Sequence, residues 1–268
     1  MTDGFVGVDC PKCSPGAGKY KLGINLAWGG ASCWTCGKQS TARALADLSG
    51  RPLGAVLKLL EGVVRERAVE RVRTGLVLPP GLGPLLEAHR EYLRDERGID
   101  PDVAERLWGV KGLGIAGRLS WRVWVPVHDG DKVASWTTRS IGKTGRRYIN
   151  AKPTEEAVAA KSLLLGERLC RHAAIVVEGP FDALRIGPGA VSIMGVGFTK
   201  EQVARIARFP TRAVVFDSEP AAQRRARELC EALAVLPGRT TRVEIDAPDP
   251  GSADAREVRR LRKCLLDD

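Results

Sequence analysis

Two Cys-x-x-Cys knuckles, Cys10-Pro11-Lys12-Cys13 and Cys33-Trp34-Thr35-Cys36, stand near the amino terminus with residues 14–32 between them. They restrict the fold more tightly than any other feature of the chain. Each knuckle turns sharply enough to aim two sulfurs at one point, and two knuckles at this spacing describe a ribbon closed around one zinc ion. Gly16, Gly18, Gly23 and the Gly29-Gly30 pair suit the hairpins such a ribbon needs. Four thiolates fill the coordination shell and leave no position for water, so the expected Zn2+ is structural. Binding of this kind is worth on the order of 10 kcal/mol in small peptides, enough to order a unit with little core of its own.

Cysteine usage supports metal over disulfides. The 268-residue chain has seven cysteines, an odd number, which fits a reducing, cytoplasmic setting. Cys170, Cys230 and Cys264 sit among apolar neighbours and read as buried thiols. The start, Met1-Thr2-Asp3-Gly4-Phe5, has neither a basic head nor an apolar run, and no stretch approaches the roughly 18 apolar residues of a membrane span. No membrane partner is expected. A formal charge of +10 and a pI near 9.5 create a field that draws polyanions, of which nucleic acid is the commonest. An Arg-rich composition from a GC-rich genome gives the same charge without such a partner.

Residues 1–60 read as the zinc-ribbon domain, ending in helical apolar spacing at Leu45, Leu48, Leu53, Val56 and Leu60. Residues 61–84 read as a linker, an Arg- and Glu-rich stretch followed by the stiff Leu78-Pro79-Pro80-Gly81-Leu82-Gly83-Pro84. Residues 85–168 read as a basic α+β subdomain. It opens with two short helices broken at Gly98-Ile99-Asp100-Pro101, where Asp100 caps the second. Strands over Trp121–Val127 and Lys132–Ile141 follow, joined at the Asp129-Gly130 turn signal. Residues 169–268 alternate short apolar runs, Ala174–Val177, Val191–Met194 and Ala213–Phe216, with helical stretches. That alternation predicts an α/β fold with a Rossmann-like, mostly parallel sheet. The helix after Asp217 is expected to bury Ala222, Ala226, Leu229, Cys230 and Leu233 and to turn Arg224, Arg225 and Arg227 outward.

Three acidic clusters fall at or just beyond the expected strand ends, where open α/β sheets place their ligands. They are Glu178 with Asp182, Asp217 with Glu219, and Asp246 with Asp249. Any one of them could simply cap a helix after a strand. Gathered together, such carboxylates repel unless a hard cation lies between them, and oxygen ligands suit Mg2+ or Mn2+. Residues 139–152 hold Arg139, Lys143, Arg146, Arg147 and Lys152 and no acid, which fits either phosphate contact or a solvated hairpin tip. Gly142-Lys143-Thr144 is not a P-loop, because Thr137 stands where that motif requires glycine. In the ribbon, Lys12, Lys19, Lys21, Trp28, Trp34 and Lys38 are candidates for cationic and stacking contact with single-stranded DNA. The other reading of both tryptophans is that they pack the ribbon.

The ordered acids resemble the TOPRIM domain, whose pattern is E-G-x-x-D, then D-x-D, then a later acid. Glu178-Gly179-Pro180-Phe181-Asp182, Asp217 and Asp249-Pro250 match it in turn. The second motif departs, being Asp217-Ser218-Glu219, so Glu219 must reach one methylene further. Zinc ribbon, linker, basic subdomain and TOPRIM in this order resemble bacterial-type (DnaG-like) DNA primases, especially the primase halves of phage helicase-primases. The resemblance covers nearly the whole chain. Tyr92-Leu93-Arg94 through Gly98-Ile99 looks like the helical entry to the primase core. Arg139 with Tyr148-Ile149-Asn150 looks like the family's G-R followed by K-Y-x-N, and Lys161 matches a lysine placed soon after.

The resemblance implies synthesis of short RNA primers on single-stranded DNA from ribonucleoside triphosphates, in a bacterial or phage-infected cell. On that pattern Asp217, Glu219 and Asp249 hold Mg2+ or Mn2+. Glu178 either ligates the metal or assists proton transfer, and Asp182 supports it. Arg139, Arg146, Arg147, Tyr148, Asn150, Lys152 and Lys161 contact template or triphosphate, while the ribbon selects the initiation site. No helicase motor follows the basic amphipathic stretch Arg256–Leu266, so a separate helicase partner, or none, is expected. Two other classes use the same motifs: a TOPRIM nuclease, and a non-catalytic single-strand binder or recombination mediator. A topoisomerase needs a nucleophilic tyrosine, for which Tyr20, Tyr92 and Tyr148 offer no obvious candidate.

Overall fold

The cysteine knuckles are carried by an antiparallel meander of β1 (Phe5–Val8), β2 (Leu22–Asn25), β3 (Ala31–Cys33) and β4 (Gly37–Gln39), paired in chain order. The computed structural model describes residues 5–25, 30–59, 75–115, 117–142 and 145–266, and the chain divides into two compact units, Met1–Arg71 and Val72–Asp268. In the first unit the Asp9 carboxylate accepts the backbone N–H groups of Gly18, Lys19 and Tyr20 at 2.7, 2.7 and 2.9 Å, which fixes the loop entering β2. The buried core is small: Cys10, Leu22, Ile24, Ala31, Cys33 and Ala44.

Helix α1 (Thr41–Ser49) starts at Ser40, whose hydroxyl accepts from Arg43 N, and stops at Gly50, which is left-handed at φ 66°. A second helix, α2, includes residues 53–59. The apolar spacing expected to run through Thr41–Leu60 is therefore interrupted. Gly50, left-handed at the end of the first helix, and Pro52, just before the second, separate the two stretches. Leu48 and Leu53 are exposed, whereas Val56 is buried.

The second unit is built on two sheets. The first is antiparallel, with β5 (Leu82–Gly83), β6 (Lys111–Leu113), β7 (Arg122–Asp129), β8 (Lys132–Ser140) and β9 (Tyr148–Asn150) side by side in chain order. The β7–β8 hairpin turns at Gly130, φ 60°, where the Asp-Gly signal places it. Strand β7 is buried on both faces. Val123, Val125 and Val127 enter the main core, and Trp124 enters a smaller cluster with Leu113, Leu119 and Trp136.

Helices α3 (Glu87–Glu91) and α4 (Pro101–Val103) each run on into a π-helical turn, Tyr92–Glu96 and Ala104–Trp108. Asp100 caps α4 by accepting from Asp102 N and Val103 N. Of the expected linker, residues 61–74 lie outside the described residues. The remainder is part of the second unit: Val77 pairs with Glu155 through its backbone and accepts the Trp136 indole N–H at 2.9 Å.

The other sheet is parallel, in the order β11-β10-β12-β13: β10 (Ala173–Val177), β11 (Ala190–Ser192), β12 (Thr211–Val214) and β13 (Arg239–Arg242). Its connections carry α5 (Pro180–Ile186), α6 (Lys200–Ile206) and α7 (Pro220–Ala234), and α8 (Ala255–Leu266) follows β13. Alternate strand residues face opposite layers. Ile175, Val177, Ala213 and Val215 share a core with Phe181, Leu184, Leu261 and the antiparallel sheet, while Ala174, Val176, Val214 and Phe216 pack against α6 and α7. Strand order reverses between β10 and β12, the kind of switch point at whose carboxyl edge open parallel sheets bind their ligands. Among the described residues no helix is long and apolar enough to cross a membrane.

Candidate active site

Glu178 follows β10 directly, and Asp182 sits in the first turn of α5, where its Oδ2 accepts from Gly179 N at 2.9 Å. Asp217 lies just past β12, its carbonyl held by the Gln223 amide at 2.9 Å. Asp249 comes from the loop after β13, tied to the Asp217 loop by Ser218 N donating to Pro248 O at 2.9 Å. Two glycines make this approach possible. A β-carbon at Gly179 would strike Asp182 Oδ2, and one at Gly251 would strike Asp182 Oδ1 and crowd Arg97 Nη2 and Asp249 Oδ1.

Burial and mutual repulsion disturb these acids together. Burial first, then the charges of Asp217 and Asp249, push the Asp182 carboxyl up to about 7. Burial, then Glu178, Asp249 and Glu219, push Asp217 up to about 6. Burial raises Glu178 too, opposed by Arg225. Asp217 Oδ1 and Asp249 Oδ1 are both buried without a hydrogen-bond partner. Two buried, unpaired carboxylate oxygens whose charges repel each other fit a hard divalent cation, which also removes the repulsion. Glu219 is exposed at the N-cap of α7, and Asp246 is exposed, its N–H donating to Glu257.

The four sulfurs of Cys10, Cys13, Cys33 and Cys36 lie within 4.8 Å of one another, with Sγ separations of 4.0 Å for Cys10–Cys36 and 3.7 Å for Cys13–Cys33. A zinc tetrahedron with 2.3 Å bonds has edges of about 3.8 Å, so the cluster fits structural zinc. Gln39 Nε2 donates to Cys10 Sγ at 3.3 Å and Thr35 N to Cys33 Sγ at 3.4 Å, the kind of contact that orients thiolate ligands. Among the described residues no other group of His, Cys, Asp or Glu ligand atoms gathers this tightly. The carboxylate set is more open.

No protein-family model matches the chain, and no curated protein matches it. Solved structures do. A DnaG primase catalytic domain bound to single-stranded DNA superposes with a TM-score of 0.55 at 18% identity, covering 66% of this chain and 71% of its own. The Escherichia coli primase catalytic core gives 0.55 at 18%, covering 67% and 74%. The zinc-binding and RNA polymerase domains of Aquifex aeolicus primase give 0.53 at 16%, covering 99% of this chain and 80% of that one. The fold is that of a DnaG-type primase.

On this primase fold the remaining expected residues take varied places. Arg139 is 9% exposed, its Nε and Nη1 donating to the hydroxyls of Tyr92 and Tyr148 at 2.6 and 2.7 Å. Tyr148 packs edge-on to Phe181, with ring centroids 6.2 Å apart, which ties β9 to the helix bearing Asp182. Arg146, Arg147 and Lys152 are exposed, and the Asn150 carbonyl accepts from Thr137 Oγ1. Lys161 Nζ donates to Ile193 O and Gly197 O at 3.0 Å each, pinning the loop beside Glu178. In the ribbon, Lys12 is exposed, Lys21 Nζ donates to Thr35, and Trp34 stands 93% exposed rather than packing the ribbon core. Trp28, Lys143 and the side chain of Lys38 lie outside the described residues.

Two arginines, one at the carboxylates and one beneath the cationic loop, could not be placed from the sequence. Arg225, expected to face outward, turns back so that Nη2 lies 3.2 and 3.1 Å from the two Glu178 oxygens and 3.7 Å from Glu219 Oε1. Helical side chains lean toward the helix N-terminus, and a long arginine near the first turn reaches past the end of its own helix. Arg122 is buried on β7 and donates to the carbonyls of Arg146 and Arg147, shaping the cationic loop. Its place in an apolar strand, beside Val123, was the available signal.

Proposed function

We propose that this chain is a DNA primase that joins ribonucleoside triphosphates into short RNA primers on single-stranded DNA through a TOPRIM-type carboxylate site. The observation that carries the reading is the pair of buried, unpartnered oxygens of Asp217 and Asp249 at the carboxyl edge of a parallel sheet in a primase fold. Asp217, Glu219 and Asp249 would hold Mg2+ or Mn2+, which supplies charge neutralisation for the triphosphate and its leaving pyrophosphate.

The chain's own groups do the positioning. Glu178, buried at the end of β10 and facing the charges of Arg225 and Lys161, is the carboxylate placed to ligate or to accept a proton from an attacking ribose hydroxyl. Asp182 is anchored to Gly179 N and holds the first turn of α5. The exposed Arg146, Arg147 and Lys152 suit template or triphosphate phosphates, and Trp34 suits stacking on an unpaired base. The DnaG domain bound to single-stranded DNA supports that template class for this fold.

The test is incubation of the chain with a mixed single-stranded template, labelled ribonucleotides and Mg2+ or Mn2+, with the products sized. Short RNAs are expected from the wild type and none from Asp217→Ala, whose zinc content stays intact. Unchanged synthesis by that variant would falsify the site assignment. Degradation of the template would identify a nuclease instead, and metal-independent binding without incorporation a non-catalytic binder.

A further inference from the structure

Arg225 is the one cation that reaches the oxygens of both glutamates at the carboxylate site among the described residues, and its bonding is incomplete. A single nitrogen, Nη2, serves both Glu178 oxygens and approaches Glu219, while Nε is buried with no partner. Lys161 also faces Glu178 electrostatically, yet its ammonium is engaged by two carbonyls. Asp217 Oδ1 and Asp249 Oδ1 receive nothing. One guanidinium thus bonds Glu178 and approaches Glu219, while its charge reaches Asp217 without giving either Asp217 Oδ1 or Asp249 Oδ1 a hydrogen bond.

We propose that Arg225 is a resident counter-ion of this site, a guanidinium that bridges Glu178 and Glu219 and competes with a divalent cation for them. The proposal rests on the metal-site reading above. A cation entering between Asp217 and Asp249 finds two free oxygens but must take further ligands from glutamates already engaged. Arg225 does not leave by losing its proton, because a guanidinium stays charged at any working pH. It leaves by rotating toward solvent, which also gives its orphaned Nε a water partner. The added methylene of Glu219, set against the aspartate of the D-x-D pattern, lengthens that side chain toward Arg225. Arg225 is in this sense a positioning residue, acting on the metal through the carboxylates that both want.

The experiment is Mn2+ titration of the full, zinc-loaded chain, followed by calorimetry and by the electron spin resonance of free Mn2+, for wild type, Arg225→Met, Arg225→Gln and Arg225→Lys. Removing a unit positive charge ~5 Å from a divalent ion, screened as in water, gives roughly tenfold tighter binding. Arg225→Met and Arg225→Gln are expected to show it, the second keeping a donor for Glu178 and so guarding against misfolding of the first. Arg225→Lys keeps the charge and is expected to stay near wild type. Unchanged or weaker Mn2+ binding in the neutral variants, with the wild type binding normally, overturns the proposal alone. So does Arg225→Lys binding as tightly as they do. Absence of Mn2+ binding in all four proteins removes the metal-site reading and the proposal together.

Discussion

The Arg139 guanidinium lies 4.8 Å from the centre of the Phe181 ring, which places a cation of the antiparallel sheet directly against the residue before Asp182. Its Nε and Nη1 are already committed to Tyr92 and Tyr148. Arg139→Met should therefore cost stability, about 2–4 kcal/mol, by stranding two hydroxyls and removing a buried cation–π contact. Thermal melting of the second unit checks this. Were the variant to melt like the wild type but lose affinity for single-stranded DNA, Arg139 would be a phosphate contact instead.

The two raised aspartates give the metal-free protein a distinctive pH profile. Asp182 rises from 3.8 to about 7 and Asp217 from 3.8 to about 6, so between those limits the folded chain holds protons that the unfolded chain has released. Stability from these groups is complete below pH ~4 and is lost as pH climbs toward 7. Added Mn2+ should reverse the loss, since it favours the ionised forms. Denaturation at pH 5, 6, 7 and 8 without added Mg2+ or Mn2+, compared with Asp182→Asn, isolates the effect. A wild type whose profile parallels the variant's would disprove it.

Much of this arrangement could be read from local chemistry. The Asp129-Gly130 turn, the cap at Asp100 and the acids beyond Val177 and Phe216 depend on neighbours in sequence, so their signals are in the sequence. Arg225 and Arg139 could not be placed that way. Arginines on a polar helix face read as solvated and those in a basic segment as phosphate contacts, and only the fold reveals that Glu178 lies within reach of Arg225 and a tyrosine pair within reach of Arg139. The break between α1 and α2 was missed for a related reason: apolar spacing continued across Gly50, although the backbone did not.

The first unit is expected to need zinc at its four-cysteine cluster to stay folded. Its core cluster is Cys10, Leu22, Ile24, Ala31, Cys33 and Ala44, and two of these six belong to the four-cysteine cluster. Cys33→Ser should abolish zinc binding, a loss on the order of 10 kcal/mol, and unfold residues around the knuckles. The second unit, whose sheets share a separate core, should keep its secondary structure. Zinc content together with limited proteolysis tests both parts. Retention of a protease-resistant ribbon in the zinc-free variant would show that apolar packing suffices.

Gly251 tests the geometry of the carboxylates without changing any charge. Its backbone is not left-handed, so alanine is conformationally allowed, but the added β-carbon collides with Asp182 Oδ1 and comes within 2.9 Å of Arg97 Nη2 and 3.1 Å of Asp249 Oδ1. The backbone must shift or Asp182 must leave its bond to Gly179. Gly251→Ala should lose about 1–3 kcal/mol of stability, the usual cost of overpacking. It should also weaken Mn2+ binding, because Asp249 is displaced by the same contact. Gly54→Ala is the control: it meets nothing within 4 Å and sits in α2, where alanine is the better helix former. Equal melting and equal Mn2+ affinity in Gly251→Ala and wild type would mean that the loop after β13 yields freely, and that Asp249 is not held where the site requires it.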